Sequence, residues 1–236
     1  MKLDQHFLID DNVAKSAVAL CDIKKEDDVV EIGPGHGELT KFIPDCRLVL
    51  IEKDGDLARN LKKKYERIIQ GEGIDEIKYI KFDFLISSVP YSISEPLIRQ
   101  LFLHDFKKAV LILPANFVEN LEAKESSLSF LANEFLGIRK VEFVERAKFD
   151  PKPRVDSYVV EIIKKKGNKI LEEICMQKDK KVKNALREAV VRAENKTKNQ
   201  AREIVDKWNI NESTLTKNVK MLSYHELTYI KEVTKQ

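Results

Sequence analysis

Three carboxylates and a glycine turn, set at regular intervals, are the residues here whose types and spacing could do chemistry. Glu31-Ile32-Gly33-Pro34-Gly35-His36-Gly37 puts glycines at alternate positions directly behind an acid. Glycine lets a ligand approach bare backbone and accepts positive φ without strain. The Gly-x-Gly-x-Gly spacing differs from the Gly-x-Gly-x-x-Gly turn that cradles a pyrophosphate. About twenty residues further on, Glu52 ends an apolar run, where an acid commonly hydrogen-bonds a ribose diol. Glu72, among glycines at the end of a third run, is suited to accept from an adenine amino group, with Ile74 flanking the ring. Glu31 would attract a cation. A nucleoside carrying a cationic amino-acid portion, as in S-adenosylmethionine, suits this set better than a nicotinamide dinucleotide.

A second cluster, Ser88-Val89-Pro90-Tyr91, reads as a clamp for a planar, amino-bearing base. The Tyr91 ring would stack on the base, and the Ser88 hydroxyl and Val89 carbonyl would accept from its exocyclic amine. Methyl transfer to nitrogen rests mainly on positioning and electrostatics, so no strong general base is required. A base within RNA must be unstacked to enter such a pocket, and Phe149 could stack on its other face. Phe149 reads equally well as a core anchor for the stiff loop Pro151-Lys152-Pro153-Arg154.

Positioning these groups requires a sheet. Apolar runs Val29–Ile32, Arg47–Glu52, Arg67–Ile74, Phe82–Ser88 and Lys108–Leu113 read as strands, with further strand-like runs at Lys140–Val144 and Tyr158–Ile163. Helical spacing covers Asn12–Leu20, Asp56–Glu66, Glu95–Leu103 and Leu128–Leu136, and a helix is expected to follow the glycine turn. Alternation of this kind predicts an α/β, Rossmann-like fold with a mainly parallel sheet, and ligands in such sheets sit beyond the carboxyl ends of the strands. All the candidate acids and the Ser88–Tyr91 turn fall at such ends. From Lys169 the pattern is helical, with Ala185, Leu186, Ala189 and Val190 on one face. Lys164-Lys165-Lys166-Gly167 suggests a boundary, giving residues 1–166 as the catalytic domain and 167–236 as a small basic helical domain.

The chain has 236 residues, 43% hydrophobic and 34% charged, which suits a globular protein with a sizeable core. Its net charge of +3 conceals an imbalance: residues 163–236 carry 18 Lys+Arg against 10 Asp+Glu, leaving 24 against 29 in residues 1–162. A basic appendage on an acidic body points to a polyanion, although a solvated lysine face would look the same. No apolar run approaches the length of a membrane helix, and Met1-Lys2-Leu3-Asp4-Gln5-His6 does not resemble a signal peptide. Cys21, Cys46 and Cys175 lack metal-ligand or redox-pair spacing. A cytoplasmic, metal-free monomer without membrane contact is expected.

Together these residues resemble the KsgA/RsmA family of ribosomal RNA adenine N6,N6-dimethyltransferases, in an archaeal-type short form. Gln5-His6-Phe7-Leu8-Ile9-Asp10 is similar to the family's Gly-Gln-Asn-Phe-Leu element, which implies that Gln5, His6 and Leu8 close over the cofactor. Glu31 to Thr40 resembles its cofactor loop, with Gly33, Gly35 and Gly37. Ser88-Val89-Pro90-Tyr91-Ser92-Ile93-Ser94 looks like its Asn-Leu-Pro-Tyr-Asn-Ile-Ser catalytic stretch. Phe149-Asp150-Pro151-Lys152-Pro153-Arg154-Val155-Asp156-Ser157 resembles its Phe-x-Pro-x-Pro-Lys-Val-Asp-Ser element. Lys180-Lys181-Val182-Lys183-Asn184-Ala185-Leu186 is similar to a basic helix of its helical domain. The resemblance implies methylation of two adjacent adenosines near the 3′ end of small-subunit rRNA and a part in assembling that subunit. It also implies RNA contacts at Lys152, Arg154, Lys180, Lys181, Lys183 and Arg187.

Four departures stand out. Asp4 and His6 replace glycine and asparagine; Glu72 is one methylene longer than the usual aspartate; the loop near Glu122–Leu128 and the C-terminal domain are short; and Ser88 replaces the asparagine whose amide oxygen accepts from the target amine. Losing one neutral hydrogen bond costs about 1 kcal/mol, roughly fivefold in rate. The alternatives are a non-catalytic or weakly catalytic assembly factor that binds RNA, which Ser88 favours, and a large-subunit rRNA adenine methyltransferase.

Overall fold

The computed structural model describes residues 5–235; Met1–Asp4, including the departure at Asp4, lie outside the described residues. The chain forms two compact units: residues up to Asn120 with Leu136–Lys164, and Leu121–Phe135 with the residues from Lys165 onward. The segment Leu121–Phe135 thus groups with the C-terminal helices, where a single cut after residue 166 would have left it in the body.

In the first unit the strands are β1 (Phe7–Leu8), β2 (Asp28–Ile32), β3 (Arg47–Glu52), β4 (Ile68–Gln70), β5 (Phe84–Ser88), β6 (Lys108–Pro114), β7 (Leu136–Val144), β8 (Phe149–Asp150) and β9 (Ser157–Lys164). Seven of them make one sheet in the order β4-β3-β2-β5-β6-β9-β7. The first five are parallel, and β9 and β7 run antiparallel at one end. The chain builds outward from β2 to β4, then returns to β5 on the other side of β2. That reversal creates a crevice at the carboxyl ends of β2 and β5. Its helices are α1 (Asp11–Ala19), α2 (Gly55–Leu61), the single turn α3 (Gly73–Glu76), α4 (Ser94–Leu101) and α5 (Ala115–Glu122), the last running across the division between units. Central strands read as continuous apolar runs because both faces are covered: Val29, Leu50, Leu85, Ile86 and Leu111 are all fully buried.

The structure corrects several expectations. The expected strand Arg67–Ile74 is only Ile68–Gln70, since the chain turns at Gly71 and enters α3 at Gly73. No α-helix follows the glycine turn; Thr40–Phe42 make one 3-10 turn instead. Helix α5 was not expected. Phe7–Leu8 form a strand, paired antiparallel with Phe149–Asp150 of β8.

The second unit is helical: α6 (Ser127–Phe135), α7 (Lys169–Cys175), α8 (Val182–Glu194), α9 (Lys198–Lys207), the short α10 (Glu212–Leu215) and α11 (Tyr224–Val233). Ala185, Leu186, Ala189 and Val190, at helical spacing on α8, are buried, as are Ile170, Leu171 and Ile174 of α7. Capping boxes at Thr197/Gln200 and Ser223/Glu226 start α9 and α11. Among the described residues, no helix is long and apolar enough to cross a membrane.

Candidate active site

The four strands whose ends carry the candidate residues, β4, β3, β2 and β5, are consecutive neighbours in the sheet, so their ends form one rim. A cleft of about 1120 Å³, counting its open mouth, lies across it. Glu31, Gly33, Gly35, Glu52, Glu72, Ser88, Val89, Pro90, Tyr91 and Phe149 all line this cleft, together with Gln5, His6 and Leu8. The Ser87 hydroxyl donates to the Ile32 carbonyl at 2.6 Å, tying the ends of β5 and β2 together beneath it. Behind Ile32 the chain passes through three positive-φ glycines, Gly33 (+66°), Gly35 (+62°) and Gly37 (+98°). Gly35 is the tightest: a Cβ there would lie 2.9 Å from Cδ1 of Phe7. Gly37 is not among the residues that line the cleft. Its backbone closes the turn instead, donating to the Pro34 carbonyl at 2.8 Å.

The three acids differ in state. Glu31 is 1% exposed, and its Oε2 accepts from the Thr40 hydroxyl at 2.7 Å. Burial pushes its carboxyl up to about 8, against the lowering effect of that hydrogen bond and with smaller help from Glu38 and Glu52. Glu52 is also buried; desolvation raises its pKa, opposed by the N–H groups of Asp54 (2.8 Å) and Gly35 (3.1 Å) that donate to its two oxygens. Glu52 therefore pins the glycine turn to the end of β3. Glu72, at the start of α3, is half-exposed at the cleft wall and pairs with Lys53 at 2.5 Å. Ile74 is not part of the cleft wall; Gly73, Lys53 and Leu57 stand there instead.

Ser88 ends β5, and the N–H of the buried Val89 donates to Ile112 of β6 at 3.1 Å, fixing the Ser-Val-Pro-Tyr turn on the sheet. The Tyr91 hydroxyl donates to the Val155 carbonyl (3.3 Å) and lies 3.0 Å from Oγ of the fully buried Ser157. Its ring centroid is 5.7 Å from that of His6, whose Nδ1 is 2.6 Å from the Pro151 carbonyl. Strand β1 brings this segment in: Phe7 lies over Gly35 and 4.6 Å from the His36 ring, while Leu8 opposes Phe149. Phe149 is 4% exposed and belongs to a buried apolar cluster with Leu8, Val144 and Val159. Both readings of Phe149 thus meet in one side chain, a core anchor that also reaches the cleft wall.

The candidate cations fall into two groups. Lys152 and Arg154 are exposed on the loop after β8. In the helical unit, Lys180 pairs with Glu188 (2.6 Å), Arg187 with Asp206 (3.2 Å) and Lys183 more loosely with Glu212 (3.9 Å), while Lys181, which precedes α8, is exposed. The basic cluster is therefore largely neutralised within its own unit. Cys21, Cys46 and Cys175 are not joined in disulfides, and burial pushes Cys21 up to about 12 and Cys46 up to about 11, which keeps both in the thiol form at neutral pH. Sequence reasoning missed Ser157 and Lys53 at the cleft. Ser157 closes a motif already singled out, and Lys53 follows Glu52 directly, so both were adjacent to a visible signal.

The sequence profile of the family described as ribosomal RNA adenine dimethylase matches residues 1–231. A "Probable ribosomal RNA small subunit methyltransferase A" of Thermococcus sibiricus is 37% identical over 67% of this chain and 62% of its own length; that of Pyrococcus furiosus is 35% identical over 72% and 66%. The matched region thus spans less than two thirds of these archaeal relatives. Among solved structures, a dimethyladenosine transferase from Plasmodium falciparum superimposes with a TM-score of 0.65, 24% identity and 98% of each chain covered. The 23S rRNA methyltransferase ErmE gives a TM-score of 0.61 at 17% identity, covering 98% of this chain and 100% of its own. These two likenesses concern the fold, a Rossmann-like sheet with flanking helices and a C-terminal helical region. On the profile match across nearly its whole length, the chain belongs to the ribosomal RNA adenine dimethylase family.

Proposed function

We propose that the chain is an S-adenosylmethionine-dependent rRNA adenine N6-methyltransferase, acting on two adjacent adenosines near the 3′ end of small-subunit rRNA during assembly of that subunit. One observation carries the proposal: a single cleft joins the glycine turn and its three acids to the Ser88–Tyr91 turn and Phe149. The cleft fits the cofactor. Gly33 and Gly35 present bare backbone, Glu31 is a buried acid suited to a cation, and Glu52 and Glu72 stand at the next two strand ends for the ribose and the adenine. Gln5, His6 and Leu8 close the same cleft from the amino-terminal side. When bound, S-adenosylmethionine supplies an electrophilic methyl group on a sulfonium.

The chain's own part is positioning. Tyr91 offers a stacking face whose tilt is set by the anchoring of its hydroxyl on Val155 and Ser157. Ser88 and the Val89 carbonyl are the acceptors for the target amine, drawing its lone pair toward the methyl group. Phe149 would back the base from the core side. Lys152 and Arg154 would take phosphates next to the cleft, and the basic helical unit would add contacts of its own. The unlinked cysteines support a cytoplasmic setting, and a monomer on its RNA is the simplest assembly.

Methyl transfer to unmodified small subunits, with nucleotides mapped by mass spectrometry, tests the reading. Dimethyladenosine at two adjacent sites is the expected product. A second reading, a weakly catalytic or non-catalytic assembly factor, draws on Ser88 alone. Tight subunit binding without any transfer would establish it in place of the enzyme.

A further inference from the structure

Strand β7 is the outermost strand of the sheet, and it carries an aromatic that the core does not use: Phe143 is 49% exposed. Phe143 opposes Tyr158 of β9 in register, and the two rings meet edge to face with centroids 5.3 Å apart. Lys140 joins them, with Nζ 5.1 Å above the Tyr158 ring. Residues 140 and 143 would ordinarily point to opposite faces of a strand. A bulge between Lys140 and Glu142 adds the extra residue that returns both to one face. The exposed Arg146 follows on the same chain, its guanidinium donating to the Arg154 carbonyl at 3.1 Å. Among the described residues, Arg146, Lys152 and Arg154 have no carboxylate partner, unlike Lys180 and Arg187. From Arg139 to Arg154 the chain carries six Lys+Arg against three Asp+Glu, and two of the six, Arg139 and Lys148, pair with Glu161 and Asp10. Tyr158 immediately follows Ser157, a residue of the cleft wall.

We propose that Phe143, Tyr158 and Lys140, with Arg146 and Arg154, form a stacking platform for an unpaired base of single-stranded RNA. An exposed aromatic beside arginines that have no carboxylate partner is the combination that binds such strands, stacking holding the base and charge the backbone. A protein partner would use the aromatic without needing the cation excess. The platform rests on the proposed function, since it presumes an RNA substrate.

The test uses the full chain and a short single-stranded oligoadenylate as probe, with S-adenosylmethionine affinity and thermal midpoint as controls. Phe143→Ser and Phe143→Leu should each weaken oligoadenylate binding about five- to tenfold, because leucine keeps the apolar surface but not the π face. Arg146→Ala with Arg154→Ala should lower the salt slope by about 0.7 per residue. Both controls should stay at the wild-type value. Wild-type affinity in Phe143→Leu, with loss only in Phe143→Ser, would overturn stacking. Unchanged oligoadenylate binding with weakened binding to subunits would assign the patch to a protein and overturn the proposal. If wild-type protein binds no RNA, the platform and the proposed function fall together; if it methylates subunits and both Phe143 variants bind normally, only the platform falls.

Discussion

Replacing Glu31 by glutamine should abolish the pH dependence of cofactor binding that burial of its carboxyl predicts. In the protein alone, burial holds the Glu31 carboxyl protonated up to about pH 8. A cationic ligand placed against it favours the carboxylate, so binding must expel that proton. With the free group at about 8, apparent affinity for S-adenosylmethionine falls roughly tenfold for each pH unit below that value, and about 0.9 proton is released per ligand at pH 7. The ligand's amine titrates near 7.7–8.0, so the window from pH 5.5 to 7 isolates the carboxyl. Calorimetry in two buffers of different ionisation enthalpy reads the proton directly. Glu31→Gln should bind more weakly with no slope in this window.

The same group affects folding. Its folded pKa lies above the unfolded value of 4.5, so the folded protein binds the extra proton, and stability is lost as pH rises from 4.5 to about 8. Glu31→Gln should therefore stabilise the ligand-free protein at pH 8.5, by at most about 5 kcal/mol, with no gain at pH 4. Equal pH slopes for wild type and variant, or proton uptake on binding, would refute the assignment of Glu31 to the cation.

Gly35→Asp should abolish cofactor binding, and even Gly35→Ala should cost about 1–2 kcal/mol of stability, since φ is +62° and the new Cβ meets Phe7; titration calorimetry and thermal melts check both. Ser88→Asn should raise the methylation rate roughly fivefold and the dimethyl fraction with it, read by mass spectrometry. Tyr91→Phe keeps the ring but loses the hydrogen bonds to Ser157 and Val155, so it should lower kcat a few-fold with little change in KM for RNA, whereas Tyr91→Ala should lose nearly all transfer. In the helical unit, Lys181→Ala should flatten the salt dependence of RNA binding by about 0.7, while alanine at the ion-paired Lys180 should do less.

Much of the frame was legible from short-range pattern. The limits of β3 and of the buried face of α8 follow from apolar periodicity, which each segment carries in its own residues. Three glycines at alternate positions announced a turn of positive φ, and βαβ alternation put every candidate acid at a strand end. Periodicity did not mark where β4 stops or that α5 exists: both are short, and packing rather than pattern decides such segments.

Sequence alone thus determined which residue types meet at the sheet rim. Tertiary structure decided their state and company. The pairing of β1 with β8 joins residues about 140 positions apart, lays Phe7 on Gly35 and sets Leu8 against Phe149, and no local preference encodes it. Whether Lys180 faces an RNA phosphate or Glu188 depends on how the segment before α8 folds back on that helix, eight residues further along the chain. The proton on Glu31 is the clearest case. A carboxylate beside glycines looks ionised on paper, and only burial, which is a property of the assembled fold, makes its charge costly enough to raise its pKa to about 8.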